Sequence, residues 1–208
     1  MDILLHVCCG PCTIYPLSVL RGEGHRVRGY FYNPNIHPYR EFRRRIGALV
    51  TLMEKTGFKA EIDREYGLAM YMRRVVFNEE QRCAICYDIR LEETARKAAE
   101  QGADAFTTTL LYSRYQNHGL LQEKCSLYAR KYGVEFLYRD FRLGWQEGID
   151  RAIELGLYRQ PYCGCIYSEQ ERYDKKLRRR MRQQRLETDS DTGPSSRHGM
   201  EICSIQDK

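Results

Sequence analysis

Three thiols fall within five residues in Cys8-Cys9-Gly10-Pro11-Cys12, directly after the apolar run Ile3-Leu4-Leu5-His6-Val7. Packing alone gives small buried hydrophobes no reason to crowd like this, so the run reads as a site for metal or redox chemistry. Pro11 suits a first helical position, since it has no amide hydrogen to leave unpaired. The positive end of such a helix favours the thiolates that metals and electrophiles need. A second pair, Cys83-Ala84-Ile85-Cys86, opens the helical pattern Ile89, Leu91, Ala95, Ala98 and Ala99. A C-x-x-C pair presents two thiolates to one metal or closes a redox disulfide. With the first run it supplies the four or more ligands that tetrahedral zinc or a four-iron cluster demands. Tyr162-Cys163-Gly164-Cys165 adds a C-x-C pair, which can close only a small, readily reduced disulfide ring or else ligate a metal.

Other reactive side chains read as structural. Cys125 lies in the helical pattern Leu121, Cys125, Tyr128, Tyr132 and belongs to a core, and His6 and His25 read as structural. Asn33-Pro34-Asn35-Ile36-His37-Pro38 is a proline-bracketed loop after a strand, a position that favours contact with a ligand. Thr107-Thr108-Thr109-Leu110 offers hydroxyls either to the same crevice or to the sheet interior.

Short apolar runs that alternate with helical patterns must position these groups. Strands are predicted at 3–7, 27–32, 58–62, 104–109 and 134–138. Helices are predicted at 12–22, 40–56, 66–77, 86–101, 116–132, 145–156 and 166–183. Gly57, Gly102 and Gly133 fall where helices end before strands. The alternation predicts an α/β fold: a single Rossmann-like domain over 1–185, with a mostly parallel sheet of about five strands flanked by helices. In such sheets ligands bind beyond the carboxyl ends of the strands, where the cysteine run lies. From 186 to 208 the sequence lacks apolar periodicity and reads as a disordered tail, which makes Cys203 incidental.

Composition narrows the class. The chain has 208 residues, 42% hydrophobic and 30% charged, as a globular domain does, and no run suits a membrane span. The N-terminus, with Asp2 and few apolar residues before the cysteines, does not read as a signal peptide, so the expected location is cytoplasmic. In that compartment nine cysteines are metal ligands or catalytic thiols rather than a disulfide framework. The net charge of +6 is unevenly spread: Lys175, Lys176, Arg178, Arg179, Arg180, Arg182 and Arg185 outweigh it, and the remainder of the chain is slightly acidic. That stretch is either a phosphate-binding helix or a solvated one. A second basic cluster, Arg40, Arg43, Arg44 and Arg45 with Tyr39 and Phe42, lies inside the domain, and its arginines and Tyr39 are expected phosphate contacts.

Taken together these segments resemble the QueH-type epoxyqueuosine reductase family. The resemblance rests on Cys8-Cys9-Gly10-Pro11-Cys12, Tyr32-Asn33-Pro34-Asn35-Ile36-His37-Pro38, Cys83-Ala84-Ile85-Cys86-Tyr87 with Arg90, and Thr107-Thr108-Thr109-Leu110 with Ser113. Gly144-Trp145 and Tyr158-Arg159-Gln160-Pro161-Tyr162-Cys163-Gly164-Cys165 complete it, so that it spans about 3–170. It implies the last step of queuosine biosynthesis, removal of the epoxide oxygen from epoxyqueuosine at the wobble position of tRNA. It also implies a [4Fe-4S] cluster held by Cys8, Cys9, Cys83 and Cys86, with a second mononuclear iron associated. Cys163 and Cys165 would be the redox-active pair or ligands of the second iron, and Cys12 would bind that iron or stand beside the cluster. Asn33, His37, Tyr112, Arg43 and Arg44 are the expected substrate contacts, and His37, Tyr112 or Asp88 the proton donor. The implied partners are tRNA and an electron donor that the sequence does not name.

Three rivals fit less of the chain. Cys9-Gly10-Pro11-Cys12 is also a thioredoxin-type tetrad, but Cys8 occupies the position of its preceding aromatic residue. A zinc-stabilised RNA-binding module leaves the adjacent cysteines awkward for one ion. A nucleotide-activating enzyme akin to ATP-using tRNA thiolases needs a phosphate loop after the first strand, and thiols stand there instead.

Overall fold

The computed structural model describes residues 1–191, with side chains described to residue 183. Five strands, β1 (Asp2–His6), β2 (Arg26–Phe31), β3 (Ala60–Ile62), β4 (Ala105–Thr108) and β5 (Glu135–Phe136), form one sheet. All neighbours are parallel and the order is β3-β2-β1-β4-β5. β1 is central: Ile3 pairs with Val27 on one side and Ala105 on the other. It is buried on both faces, which is why Ile3-Leu4-Leu5 reads as a continuous apolar run rather than an alternating one.

The chain winds outward from β1 through β2 to β3, then returns to place β4 on its other side. Strand order therefore reverses between β1 and β4, where a crevice opens beyond the carboxyl ends of the strands. The segments leaving those two strands carry Cys8, Cys9 and Thr109. Helix α1 (Gly10–Gly22) packs against α2 (Tyr39–Thr56) and α6 (Trp145–Glu154). Helix α4 (Arg82–Glu100) packs against α5 (His118–Tyr132), and α3 (Leu68–Val75) sits beside α4.

The expected elements are present with shifted ends. α5 begins at His118 because the Asn117 side chain accepts the Leu120 amide at 3.0 Å. The helix predicted at 166–183 divides into α7 (Ile166–Tyr173) and α8 (Lys175–Asp191). Asp174 breaks it, since its carboxylate accepts the amides of Lys176 and Leu177 at 3.0 Å and so starts a new helix. α8 runs past 186, so the expected tail is helical as far as Asp191, and residues 192–208, Cys203 included, lie outside the described residues.

Candidate metal centre

Cys9 lies three residues beyond β1 and caps α1: its backbone is extended, and its Sγ accepts the Cys12 amide at 3.4 Å. The turn lies close against α2. A Cβ on Gly10 would come within 2.6 Å of the Ala48 carbonyl oxygen, so only glycine fits there. From the other side of the reversal, the Thr109 hydroxyl accepts the Cys8 amide at 3.0 Å. These constraints bring the sulfurs of Cys8 and Cys9 to 3.7 Å and those of Cys8, Cys9 and Cys12 within 4.8 Å of one another. Gln160 donates its amide to Cys9 Sγ at 2.9 Å and Cys12 Sγ at 3.2 Å. The three thiols are buried together and share protons unevenly. Contacts from Cys12 and Cys9 hold Cys8 well below the usual thiol range, burial pushes Cys9 up, and Cys8 and Cys9 push Cys12 up.

The remaining site thiols face one another from two other elements. Cys83 and Cys86, three residues apart in the first turn of α4, share one helix face. Cys163 and Cys165 lie before α7, which Cys165 caps by accepting the Ser168 amide at 3.4 Å. Cys163 is half-buried and Cys165 buried. Burial, then the neighbouring charge of Cys163, Cys86 and Cys165, pushes the Cys83 thiol up. Cys86 is pushed up to about 12 mainly by burial, with Arg90 opposing. Arg90 acts on both Cys8 and Cys86, so the two thiol groups flank one guanidinium.

Three arginines face these sulfurs. Arg45, 1% exposed, pairs with Glu41 at 2.7 Å and donates to the carbonyls of Cys163 at 2.7 Å and Tyr162 at 2.9 Å. It fixes the turn carrying Cys163, so its sequence-based placement among the phosphate contacts is corrected. The signal was available: Glu41 and Arg45 stand four apart, on the helix face that buries Phe42, Ile46 and Leu49. Arg82 pairs with Glu171 and lies over the Tyr167 ring at 5.6 Å, close to Cys83 and Cys165. Arg90 donates to Cys86 Sγ at 3.6 Å.

The expected substrate contacts divide by burial. Asn33 donates to the Val7 carbonyl at 2.8 Å, while its own Oδ1 and that of Asn35 are buried without partners. His37 is buried against Tyr66 and Tyr71, and neither ring nitrogen completes a hydrogen bond. Burial pushes its pKa down to about 4, which favours the neutral ring at pH 7. Tyr112 senses Cys12 and Cys9, but its hydroxyl donates to the Trp145 carbonyl at 2.7 Å. Asp88 is tied to Lys124 at 2.9 Å and Tyr128 at 2.7 Å in the α4–α5 contact. Arg43 and Arg44 are exposed on α2, with Arg44 over the Tyr158 ring at 5.5 Å. Cys125 is fully buried and His6 bonds Thr108 at 2.8 Å, both structural as expected.

A thiol-lined crevice at the reversal of a parallel sheet is the feature to compare, and residues 3–171 match the family model described as Epoxyqueuosine reductase QueH. The chain belongs to the QueH family of epoxyqueuosine reductases. A relative of that description from Dehalococcoides mccartyi is 39% identical over 173 residues, which is 83% of this chain and 95% of the relative. One from Thermotoga maritima is 35% identical over 182 residues, covering 83% and 93%. Two solved structures share the fold at low identity. A predicted tRNA methyltransferase subunit from Methanocaldococcus jannaschii has a TM-score of 0.51 at 11% identity, over 74% of this chain and 75% of that one. The U34-tRNA thiolase NcsA from Methanococcus maripaludis, solved with its [4Fe-4S] cluster, has a TM-score of 0.50 at 13% identity, over 99% and 78%.

An epoxyqueuosine reductase is an oxidoreductase that acts on tRNA, and the motifs of this reductase converge on one crevice. Residue positions alone did not reveal Gln160, Arg45 and Tyr71 as parts of its wall, because each reaches it from a different element. None of the described helices is long and apolar enough to cross a membrane.

Proposed function

We propose that this crevice is an iron–sulfur centre at which the epoxide of epoxyqueuosine is deoxygenated. The observation that carries the reading is that the grouped thiols of Cys8, Cys9 and Cys12 and the mutually interacting thiols of Cys83, Cys86, Cys163 and Cys165 flank the one Arg90 guanidinium. The donor set fits the group: thiolates are soft ligands suited to iron and iron–sulfur clusters, and the three guanidiniums offset their negative charge. Cys8, Cys9, Cys83 and Cys86 would hold a [4Fe-4S] cluster, with Arg90 facing both pairs. When bound, the cluster supplies single electrons.

The reaction needs two electrons and two protons: both C–O bonds of the epoxide break, a carbon–carbon double bond forms, and the oxygen leaves as water. Cys163 and Cys165, on one turn and acting on each other electrostatically, supply a dithiol that can release two electrons by closing a disulfide. Arg45 holds that turn through two carbonyls, while the unpartnered Oδ1 atoms of Asn33 and Asn35 accept donors from the entering nucleoside.

A second division of the thiols is favoured by one distance. The 3.7 Å between Cys8 and Cys9 sulfurs matches the ~3.8 Å edge of a tetrahedral ion with metal–sulfur bonds of about 2.3 Å. Cys8, Cys9 and Cys12 would then hold the second iron, leaving Cys83, Cys86, Cys163 and Cys165 for the cluster. Cys163→Ser decides between them. On the first division the variant keeps its cluster absorbance and iron but loses conversion of epoxyqueuosine-tRNA, read as the loss of one oxygen from the nucleoside mass. Loss of the cluster itself would establish the second.

The RNA approaches as a polyanion, and the wobble base must leave the anticodon stack to reach buried thiols. Arg40, Arg43 and Arg44 are exposed on α2, beside the loop that carries His37. α8 adds exposed Lys175, Lys176, Arg179, Arg180 and Arg182 beyond the matched span. Replacing Arg43 and Arg44 by Ala is expected to weaken tRNA binding and to lower the slope of log affinity against log salt by about 1–2. Equal affinity to wild type at every salt concentration would remove α2 from the RNA surface.

A further inference from the structure

Of the three arginines at the thiol crevice, two have a carboxylate: Arg45 has Glu41 and Arg82 has Glu171. Arg90 has none among the described residues. It is 2% exposed, its Nη1 donates to Cys86 Sγ at 3.6 Å, and its Nε is buried with no partner. A guanidinium removed from water is strongly disfavoured unless a counter-charge faces it. The groups that face Arg90 most closely in charge are the sulfurs of Cys86, Cys8 and Cys163. The sequence places Arg90 one helical turn after Cys86, on the same face of α4, which is where a donor to that sulfur must stand.

We propose that Arg90 is a positioning residue that sets the reduction potential of the crevice. Its fixed positive charge, held between the β1–α1 thiols and the α4 thiols, is the standing counter-ion for the extra electron of the reduced centre. This rests on the iron–sulfur reading above. Potentials of such centres follow net charge, hydrogen bonds to sulfur and exposure to solvent, and Arg90 acts on the first two. Because no carboxylate neutralises it, its whole charge is felt by the sulfurs in a site where little water screens it. A conserved-volume loss of that charge therefore disfavours the reduced state, whereas the two paired arginines contribute less per residue.

The test compares wild type, Arg90→Met and Arg90→Lys, each purified without oxygen. Iron and acid-labile sulfide are counted, circular dichroism checks folding, and the midpoint potential is read by titration with electron paramagnetic resonance. The Met variant is expected to keep its iron and sulfide while its reduction equilibrium falls at least tenfold, about 59 mV for a one-electron couple. The Lys variant, which keeps the charge, is expected to stay within threefold of wild type. A loaded Met variant with an unchanged potential overturns the proposal and leaves the iron–sulfur reading intact. Wild type free of iron and sulfide overturns that reading instead. If the Met variant folds without iron, the Lys variant decides. A near-wild-type potential supports the charge role, while a tenfold shift, or failure of both folded variants to load, makes Arg90 a structural residue and overturns the proposal.

Discussion

Cys86→Ser, purified without oxygen, is expected to lose the visible absorbance of the iron–sulfur centre, most of its iron and all conversion of epoxyqueuosine-tRNA. Cys86 stands in the first turn of α4, 7% exposed, with Arg90 donating to its sulfur. Serine keeps the volume but replaces a soft thiolate by a hydroxyl that is protonated at neutral pH and binds iron weakly. Cys83→Ser is expected to behave the same way. The fold should survive both changes, because β1, β2 and β4 make the core without these sulfurs, so far-ultraviolet circular dichroism should match wild type. A cluster that persists in both variants contradicts the ligand assignment on either division of the thiols, since Cys83 and Cys86 serve the cluster in each.

The second large effect is on stability. Arg45→Met is expected to lower the free energy of unfolding by about 3–5 kcal/mol, because it leaves Glu41 buried and unpaired. It also removes the donors to the Cys163 and Tyr162 carbonyls, so the turn bearing the C-x-C pair loses its anchor. Tyr158 donates to the other Glu41 oxygen at 2.5 Å and cannot neutralise it alone. Urea denaturation of Arg45→Met and of the Arg45→Met, Glu41→Leu double variant checks the cause. Recovery of most of the loss in the double variant points to the stranded carboxylate. A loss below about 1 kcal/mol in the single variant would show that the pair is solvated and exposed in solution.

Much of this architecture was legible in the sequence because local rules and tertiary structure agree. Alternating apolar runs and helical patterns gave a five-stranded parallel sheet, and Gly57 and Gly133 do end α2 and α5 in the left-handed conformation. Asp174 was missed because a helix-starting aspartate inside a polar pattern does not interrupt the helical period. In the site, cysteine spacing revealed the ligand candidates, since two thiols three apart on a helix must share a face. What spacing could not reveal is which element faces which. Arg45 reads as one of a surface run of arginines until α2 turns it inward, and Gln160 reaches Cys9 across more than a hundred residues of chain. Arg90 stands one helical turn after the C-x-x-C pair, yet its lack of a carboxylate partner among the described residues is visible only once the neighbouring elements are in place.

The most direct test of the central claim is the iron, acid-labile sulfide and zinc content of the full chain purified without oxygen. The thiol crevice of this reductase predicts a brown protein with at least about four irons and about four sulfides per chain and little zinc. A colourless protein holding zinc and no sulfide would contradict it.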